Sequence, residues 1–246
     1  MNKCKIDLHC DGEDYKCDRE LFVLEIKKEN KELEDENNMN MTSEQRNLLT
    51  VLMNNKAVLE ELMKVASVQQ KQAKDLELKE RITVAGVTWS KFAEDSEGNA
   101  YILADENICD MEFGDINDWR QSPIRKKLNH ELYQKVVAEL GTYALVTIQT
   151  NLFSHDGLKD YGKCEDMVSL LTYDLYRNNR GNIKDLNEWW WTCTPDSTPS
   201  GNSSRCVQCV CSGGSVCYGY CGCGGGVRPF FILKSDIFVS CGRVEG

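Results

Sequence analysis

Six cysteines fall within eighteen residues near the C-terminus: Cys206, Cys209, Cys211, Cys217, Cys221 and Cys223. Thiolates at such short spacings can hold a tetrahedral zinc, and Cys206, Cys209, Cys221 and Cys223 form the set that would do it. Two features of the pattern argue for another use. The spacings Cys-x2-Cys-x-Cys and Cys-x3-Cys-x-Cys follow the two-residue alternation of a strand, and no two-pair knuckle repeats. The expectation is no metal and no cofactor, with zinc as the alternative.

Other reactive residue types are scattered. Cys4, His9, Cys10 and Cys17 lie close together in sequence, but they read as thiols of an attachment segment and not as a site. His130 falls on a mostly polar helix face, and His155 sits in a polar loop beside Asp156. Neither has a neighbouring serine or cysteine in a nucleophile motif, so no enzymatic activity is expected.

The cysteines belong to a segment of narrow composition. Ser203 to Gly226 consists of six Cys, seven Gly, four Ser, three Val, two Tyr, Arg205 and Gln208, with no Lys, Glu, Asp, Leu, Ile, Phe or Met. Such a segment has too little apolar bulk for a core of its own, yet Trp189, Trp190 and Trp191 precede it and Gly226-Val227-Arg228-Pro229 close it. It must therefore be ordered from outside, as a displayed surface.

Charge and hydropathy exclude two partner classes. Twenty-nine Lys and Arg stand against thirty-nine Asp and Glu, a net charge of -10. Phosphate-backbone binding needs clustered basic residues, so no nucleic acid is expected. No run of eighteen apolar residues is present, so no membrane span is expected. The N-terminus places His9, Asp11, Glu13 and Asp14 where a signal peptide needs apolar residues. Without an export signal, thirteen cysteines read as reduced thiols or a metal site before they read as a disulfide framework.

Elements that could position the segment follow from periodicity. Residues 1–41 have no clear period and are assigned to an attachment segment. Thr42-Ser43-Glu44-Gln45 has capping-box spacing. From there to residue 80 a near-heptad pattern runs, with one seam at Leu52, Leu59, Ala66 and Ala73 and the other at Leu48, Asn55, Leu62, Gln69 and Leu76. It predicts a coiled-coil stalk, a homo-oligomer and, by preference, a trimer. The composition changes at Arg81. Ile82 to Trp89 reads as a strand, Asp95 to Asn99 as a turn, and Ala100 to Ala104 as the hairpin partner. Ser122 with Pro123 starts a helix that Gly141 ends, and its apolar positions are Ile124, Leu128, Leu132, Val136 and Leu140. Short strands are expected at Tyr143–Gln149 and Asp166–Leu171, a second helix after Thr172, and terminal strands at Phe230–Leu233 and Ile237–Val239. The expected fold class is α+β from residue 81 to 246, preceded by the coil.

Four blocks carry a family resemblance. They are Val87-Thr88-Trp89, the stretch from Trp119 through Ser122-Pro123 to Leu128, Trp190-Trp191 leading to Pro195, and Gly226-Val227-Arg228-Pro229. Between the last two, Val210-Cys211-Ser212-Gly213-Gly214-Ser215-Val216 looks like a hairpin commonly written V-N-S-D-G-S-V. In this order the blocks resemble the C-type-lectin fold in its formylglycine-generating-enzyme-like branch, and more closely the variable proteins of diversity-generating retroelements. That resemblance implies a C-type-lectin-like domain with short irregular strands and a variable region at about 193–226. Such retroelements miscopy template adenines, so Asn codons become NNY. These encode Cys, Gly, Ser, Tyr, Arg and Val but never Gln, and Gln208 must then be a fixed position.

The functional expectation is a display protein that binds a protein or glycan on a target-cell surface, placed on a virion (a phage tail) or in the cytoplasm. Its exposed face is expected to comprise Cys206, Cys209, Cys211, Cys217, Tyr218, Gly219, Tyr220, Cys221 and Cys223. Trp190, Trp191, Val227, Arg228 and Pro229 are expected to support it from beneath. A zinc-binding structural domain is the alternative.

Overall fold

The structure, a computed structural model, describes Thr42 and residues 70–241. In chain order it begins with β1 (Gln70–Gln72), β2 (Arg81–Val84), β3 (Val87–Glu94), β4 (Ala100–Ala104) and β5 (Cys109–Glu112). Helices α1 (Pro123–Lys127) and α2 (Tyr133–Leu140) follow, joined without a break by a π-helical stretch (Leu128–Leu132). Next come β6 (Leu145–Val146), β7 (Ile148–Asn151), β8 (Lys163–Asp166), β9 (Ser169–Leu170) and helix α3 (Tyr173–Asn179). The chain then runs through β10 (Trp190–Pro195), β11 (Cys206–Val210), β12 (Val216–Tyr220), β13 (Gly224–Val227), β14 (Pro229–Leu233) and β15 (Phe238–Ser240).

Two sheets organise the domain. One has the order β2-β3-β4-β14-β6, with β9 also pairing with β14; the other has the order β12-β11-β10-β13-β5. Strand β14 is buried along its whole length. Its Phe231 and Leu233 join a core with Trp89, Ile102, Trp119 and Trp191, while Phe230 and Ile232 join a second core with Phe92, Tyr176 and Trp190. A strand covered on both faces reads as an unbroken apolar run, which Phe230 to Leu233 is.

The expectation of an α+β fold led by a coiled coil is overturned. The described residues form a mostly β-sheet fold, and their helices are short. At its C-terminal end the presumed coil is not helical: Gln70–Gln72 pair antiparallel with β15, and Ala73–Asp75 form a single 3-10 turn. The seam residues Ala73 and Leu76 are buried in the domain core, and the buried ammonium of Lys91 donates to the Leu76 carbonyl at 2.8 Å. A free sheet edge and an apolar pocket compete for the same residues that a helical seam would use, and here they win. The attachment segment 1–41 and the seam positions from Leu48 to Gln69, with the trimer inferred from them, lie outside the described residues.

Local punctuation explains which elements formed as expected. The Ser122 side chain accepts from Ile124 N at 3.2 Å and donates to Phe113 O at 2.6 Å, so it caps the helix while tying it to β5's end. Gly141 closes the helix at φ 94°. Thr172 caps α3 by accepting from Leu175 N at 3.0 Å. The stretch Ile82–Trp89, expected as one strand, is instead a hairpin of β2 and β3, because Ala85 and Gly86 both take positive φ and reverse the chain.

Candidate functional site

The segment of narrow composition becomes three strands of the second sheet. Strands β11 and β12 form a hairpin with Cα partners Cys206↔Tyr220, Val207↔Gly219, Gln208↔Tyr218, Cys209↔Cys217 and Val210↔Val216. Its bend runs over Ser212–Gly214, where Gly213 and Gly214 adopt positive φ. Strand β13 then returns between β10 and β5. A run of glycines has little strand propensity of its own, and here it is imposed by packing. The Trp189 ring covers Gly225 so closely that a Cβ there would lie 2.2 Å from it, and Asn107 occupies the space a Gly226 Cβ would need.

Strand β10 supplies the base. Trp190 and Trp191 point to opposite faces and are buried in different cores. Trp191 Nε1 donates to Met111 O at 3.0 Å, which ties β10 to β5 across β13. Between Trp191 and Pro195 the β10–β11 register slips. Thr192 takes up the irregularity, since its hydroxyl donates to Gln208 O at 2.6 Å and accepts from Thr194 N at 3.2 Å. Arg228 is buried beneath. Its guanidinium donates to Ala104 O at 2.8 Å and Lys184 O at 2.9 Å and lies 5.2 Å from the Trp190 ring centroid. Burial, only partly offset by Asp105 and Glu106, pulls its pKa down to about 10. Val227 and Pro229 are buried beside it, so all five residues assigned to the base lie under the surface.

The nine residues assigned to the exposed face separate. Tyr218 is 66% exposed and Tyr220 48%, Cys223 is exposed, and Cys206, Cys211, Cys217 and Gly219 are half-buried. Cys209 and Cys221 are corrections: both side chains are buried in the core beside Trp191 and Val207. Cys221 is drawn in because its N–H donates to Arg205 O at 2.8 Å and its carbonyl accepts from Gly114 N at 3.1 Å, so two loops close over it. Strand alternation had no way to register those loops.

Seven of the nine line one concavity of about 810 Å³: Cys209, Cys211, Cys217, Tyr218, Gly219, Tyr220 and Cys223. Cys206 and Cys221 do not. Four residues from outside the narrow-composition segment line it as well: Asp110, Asn187, Glu188 and Trp189. Trp189 was legible in principle, since two-residue alternation puts it on the face of Trp191, and the two rings meet edge to face at 4.7 Å. Asp110 was not, because only the β13–β5 pairing Gly226↔Asp110 brings it there.

The sulfurs pair otherwise than the zinc alternative required. Cys211 and Cys217 form a disulfide across the bend, and Cys209 Sγ lies 3.0 Å from Cys217 Sγ. The zinc set Cys206, Cys209, Cys221 and Cys223 is not assembled; among the described residues the sulfurs that converge are those of Cys209, Cys211 and Cys217. Burial pushes the Cys209 thiol up to about 11, and it likewise raises Cys206 and Cys221. None of these thiols is activated as a nucleophile near neutral pH. His155 makes an edge contact with Tyr173, and the hydrogen bonds to Asp156 come from the Ser154 and Ser197 hydroxyls, which fasten the loop.

No helix among the described residues is long and apolar enough to cross a membrane. Comparison with protein-family models, with curated proteins and with solved structures returned no match.

Proposed function

We propose that this chain is a ligand-binding display protein. Its 810 Å³ concavity recognises a protein or glycan on a target-cell surface, and the side chains around it are varied by adenine-directed mutagenesis of the kind diversity-generating retroelements perform. On this reading the protein binds and does not catalyse, and its place is a phage tail tip.

Segregation carries the reading. Eleven of the fifteen residues lining this concavity lie between Cys209 and Gly226. Two other concavities of similar size, about 750 and 860 Å³, draw no lining residue from Ser203–Gly226. Volume therefore does not single out the site, but composition does. The placement of Gln208 supports its reading as a fixed position. Gln208, the residue NNY codons cannot encode, is buried, and its amide donates to Asp196 Oδ1 at 2.6 Å. Tyr218, on the partner strand, is open to solvent. Tyrosine supplies contact area at small entropic loss while Ser and Gly adapt, a division of labour common to binding loops. A face otherwise made of Cys and Gly has few anchors, so this variant is expected to bind weakly through Tyr218, Tyr220 and Trp189.

The test is genetic and physical together. A neighbouring reverse-transcriptase gene with a near-identical repeat, differing from the coding segment only at template adenines, is the expected finding. A library with NNY codons at 211, 217, 218, 220 and 223 should stay folded in most members and yield binders on panning against target cells. Differences that ignore adenine would remove the retroelement; a library that is mostly unfolded would remove the display surface.

A further inference from the structure

We propose that Cys209, Cys211 and Cys217 form a three-thiolate zinc site that becomes available when the Cys211–Cys217 disulfide is reduced. The proposal goes beyond the display reading and does not rest on it. The three Sγ atoms lie within 4.8 Å of one another. The hairpin register brings them together: Cys209 and Cys217 are direct cross-strand partners, so their side chains leave the sheet on one face. Cys211 follows Cys209 by two residues and shares its parity, and the bend, closed by Cys211 N donating to Ser215 O at 2.7 Å, folds it toward Cys217.

The spacing suits a metal. Zinc at about 2.3 Å from each sulfur in tetrahedral geometry places the sulfurs about 3.8 Å apart. All three sulfurs lie within 4.8 Å of one another and Cys209 Sγ is 3.0 Å from Cys217 Sγ, so small side-chain rotations reach that spacing. The half-buried Cys211 and Cys217 have room to rotate beside the open concavity. The surroundings suit a cation as well: the concavity carries the carboxylates of Asp110 and Glu188 and no Lys or Arg. Thiolates favour a soft or borderline ion over calcium or magnesium. Three protein ligands leave a fourth position, which would take water or a donor atom of a bound molecule.

The chemistry balances with a dithiol reductant. The dithiol supplies two electrons and two protons, becomes a disulfide, and leaves Cys211 and Cys217 as thiols. Zinc then binds the three sulfurs as thiolates and three protons go to solvent.

The test uses the full chain carrying Cys4→Ser, Cys10→Ser and Cys17→Ser, so that N-terminal thiols do not contribute. After reduction with dithiothreitol and anaerobic gel filtration, elemental analysis should find about one zinc per chain, and cobalt should give thiolate charge-transfer absorption. Oxidation with diamide should abolish both. Cys211→Ser and Cys217→Ser should each weaken zinc binding more than about 100-fold, since outer-sphere partners alone are worth about 10–100-fold. Cys206→Ser and Cys223→Ser should leave it unchanged. If circular dichroism shows that a Cys211 or Cys217 variant does not fold, the Cys206→Ser/Cys223→Ser double variant decides: stoichiometric zinc in its reduced form supports the site. Substoichiometric zinc in the reduced protein, or loss that follows Cys206 or Cys223, overturns it. Neither result bears on whether NNY libraries fold, so the two proposals fail separately.

Discussion

The two larger sheets of this domain use opposite means to order a strand. In the first, β14 is held by its own side chains: Phe231 lies 4.6 Å from Trp89, and Phe230 packs edge to face on Phe92. In the second, β13 has almost no side chains, and Trp189, Trp191 and Asn107 fill the space where its Cβ atoms would be. One strand brings apolar volume to the core; the other is ordered because its neighbours bring it. The difference teaches that a strand can be ordered by its neighbours' side chains as well as by its own. Within β12 the two kinds of position occur side by side: Val216 and Cys217 pack against the cores, whereas Tyr218 and Tyr220 are exposed.

That contrast can be broken at four points. The largest effect is expected from Phe231→Ala, which empties a site between Trp89 and Leu233 and should lower unfolding free energy by about 3–5 kcal/mol in urea titrations. A loss below about 1 kcal/mol would mean β14 is not the main support. Gly225→Ala comes next, because its Cβ would meet Trp189 at 2.2 Å and Trp191 Nε1 at 2.7 Å. It should destabilise by about 1–3 kcal/mol, and Trp189→Ala should recover part of that in a double-mutant cycle. Full additivity of the two changes would show that the ring does not order the strand.

The third effect is one of pH. Burial, with the nearby Asp166 carboxylate, pushes the Cys164 thiol up to about 11 from its ordinary value near 9. The folded state therefore holds this proton more tightly than the unfolded chain. That contribution is complete below about pH 9 and is lost as pH rises toward 11, on the order of 2–3 kcal/mol. Cys164→Ala should flatten this part of the stability profile, whereas Cys223→Ala, on the exposed face, should leave it intact. The smallest effect sharpens the contrast: Tyr218→Ser should change stability by no more than about 0.5 kcal/mol while weakening any ligand found. A larger loss of stability would place Tyr218 in the support and not on the display face.

How much was legible depended on how local each signal is. The helix start at Ser122-Pro123, its end at Gly141, the Thr172 cap and the hairpin from Val210 to Val216 are chemistry within a few residues, and each appears where expected. The base residues Trp190, Trp191, Val227, Arg228 and Pro229 were legible because large side chains flanking a small-residue segment have to be buried somewhere. The stretch from Gln70 to Glu80 was misjudged for the complementary reason. Its seven-residue spacing is real, but a heptad pattern does not state which partner will cover it, and β15 with the core took Ala73 and Leu76. Cys209 and Cys221 were misplaced because strand parity predicts a face and not whether loops cover it.

By itself, the sequence determined that Ser203–Gly226 had to be ordered from outside, that Gln208 stood apart from its neighbours, and that Val210 to Val216 would form a hairpin. These follow from volume, codon chemistry and backbone sterics, all properties of the residues themselves. Only the tertiary structure decided that Gly224–Val227 is an inner strand, that Asp110 and Glu188 rim the concavity, and that Cys209 meets Cys217 and not Cys206 or Cys223. The physical reason is that strand pairing and register are agreements between distant segments. Six cysteines of equal chemistry are sorted only when the hairpin chooses which of them face each other.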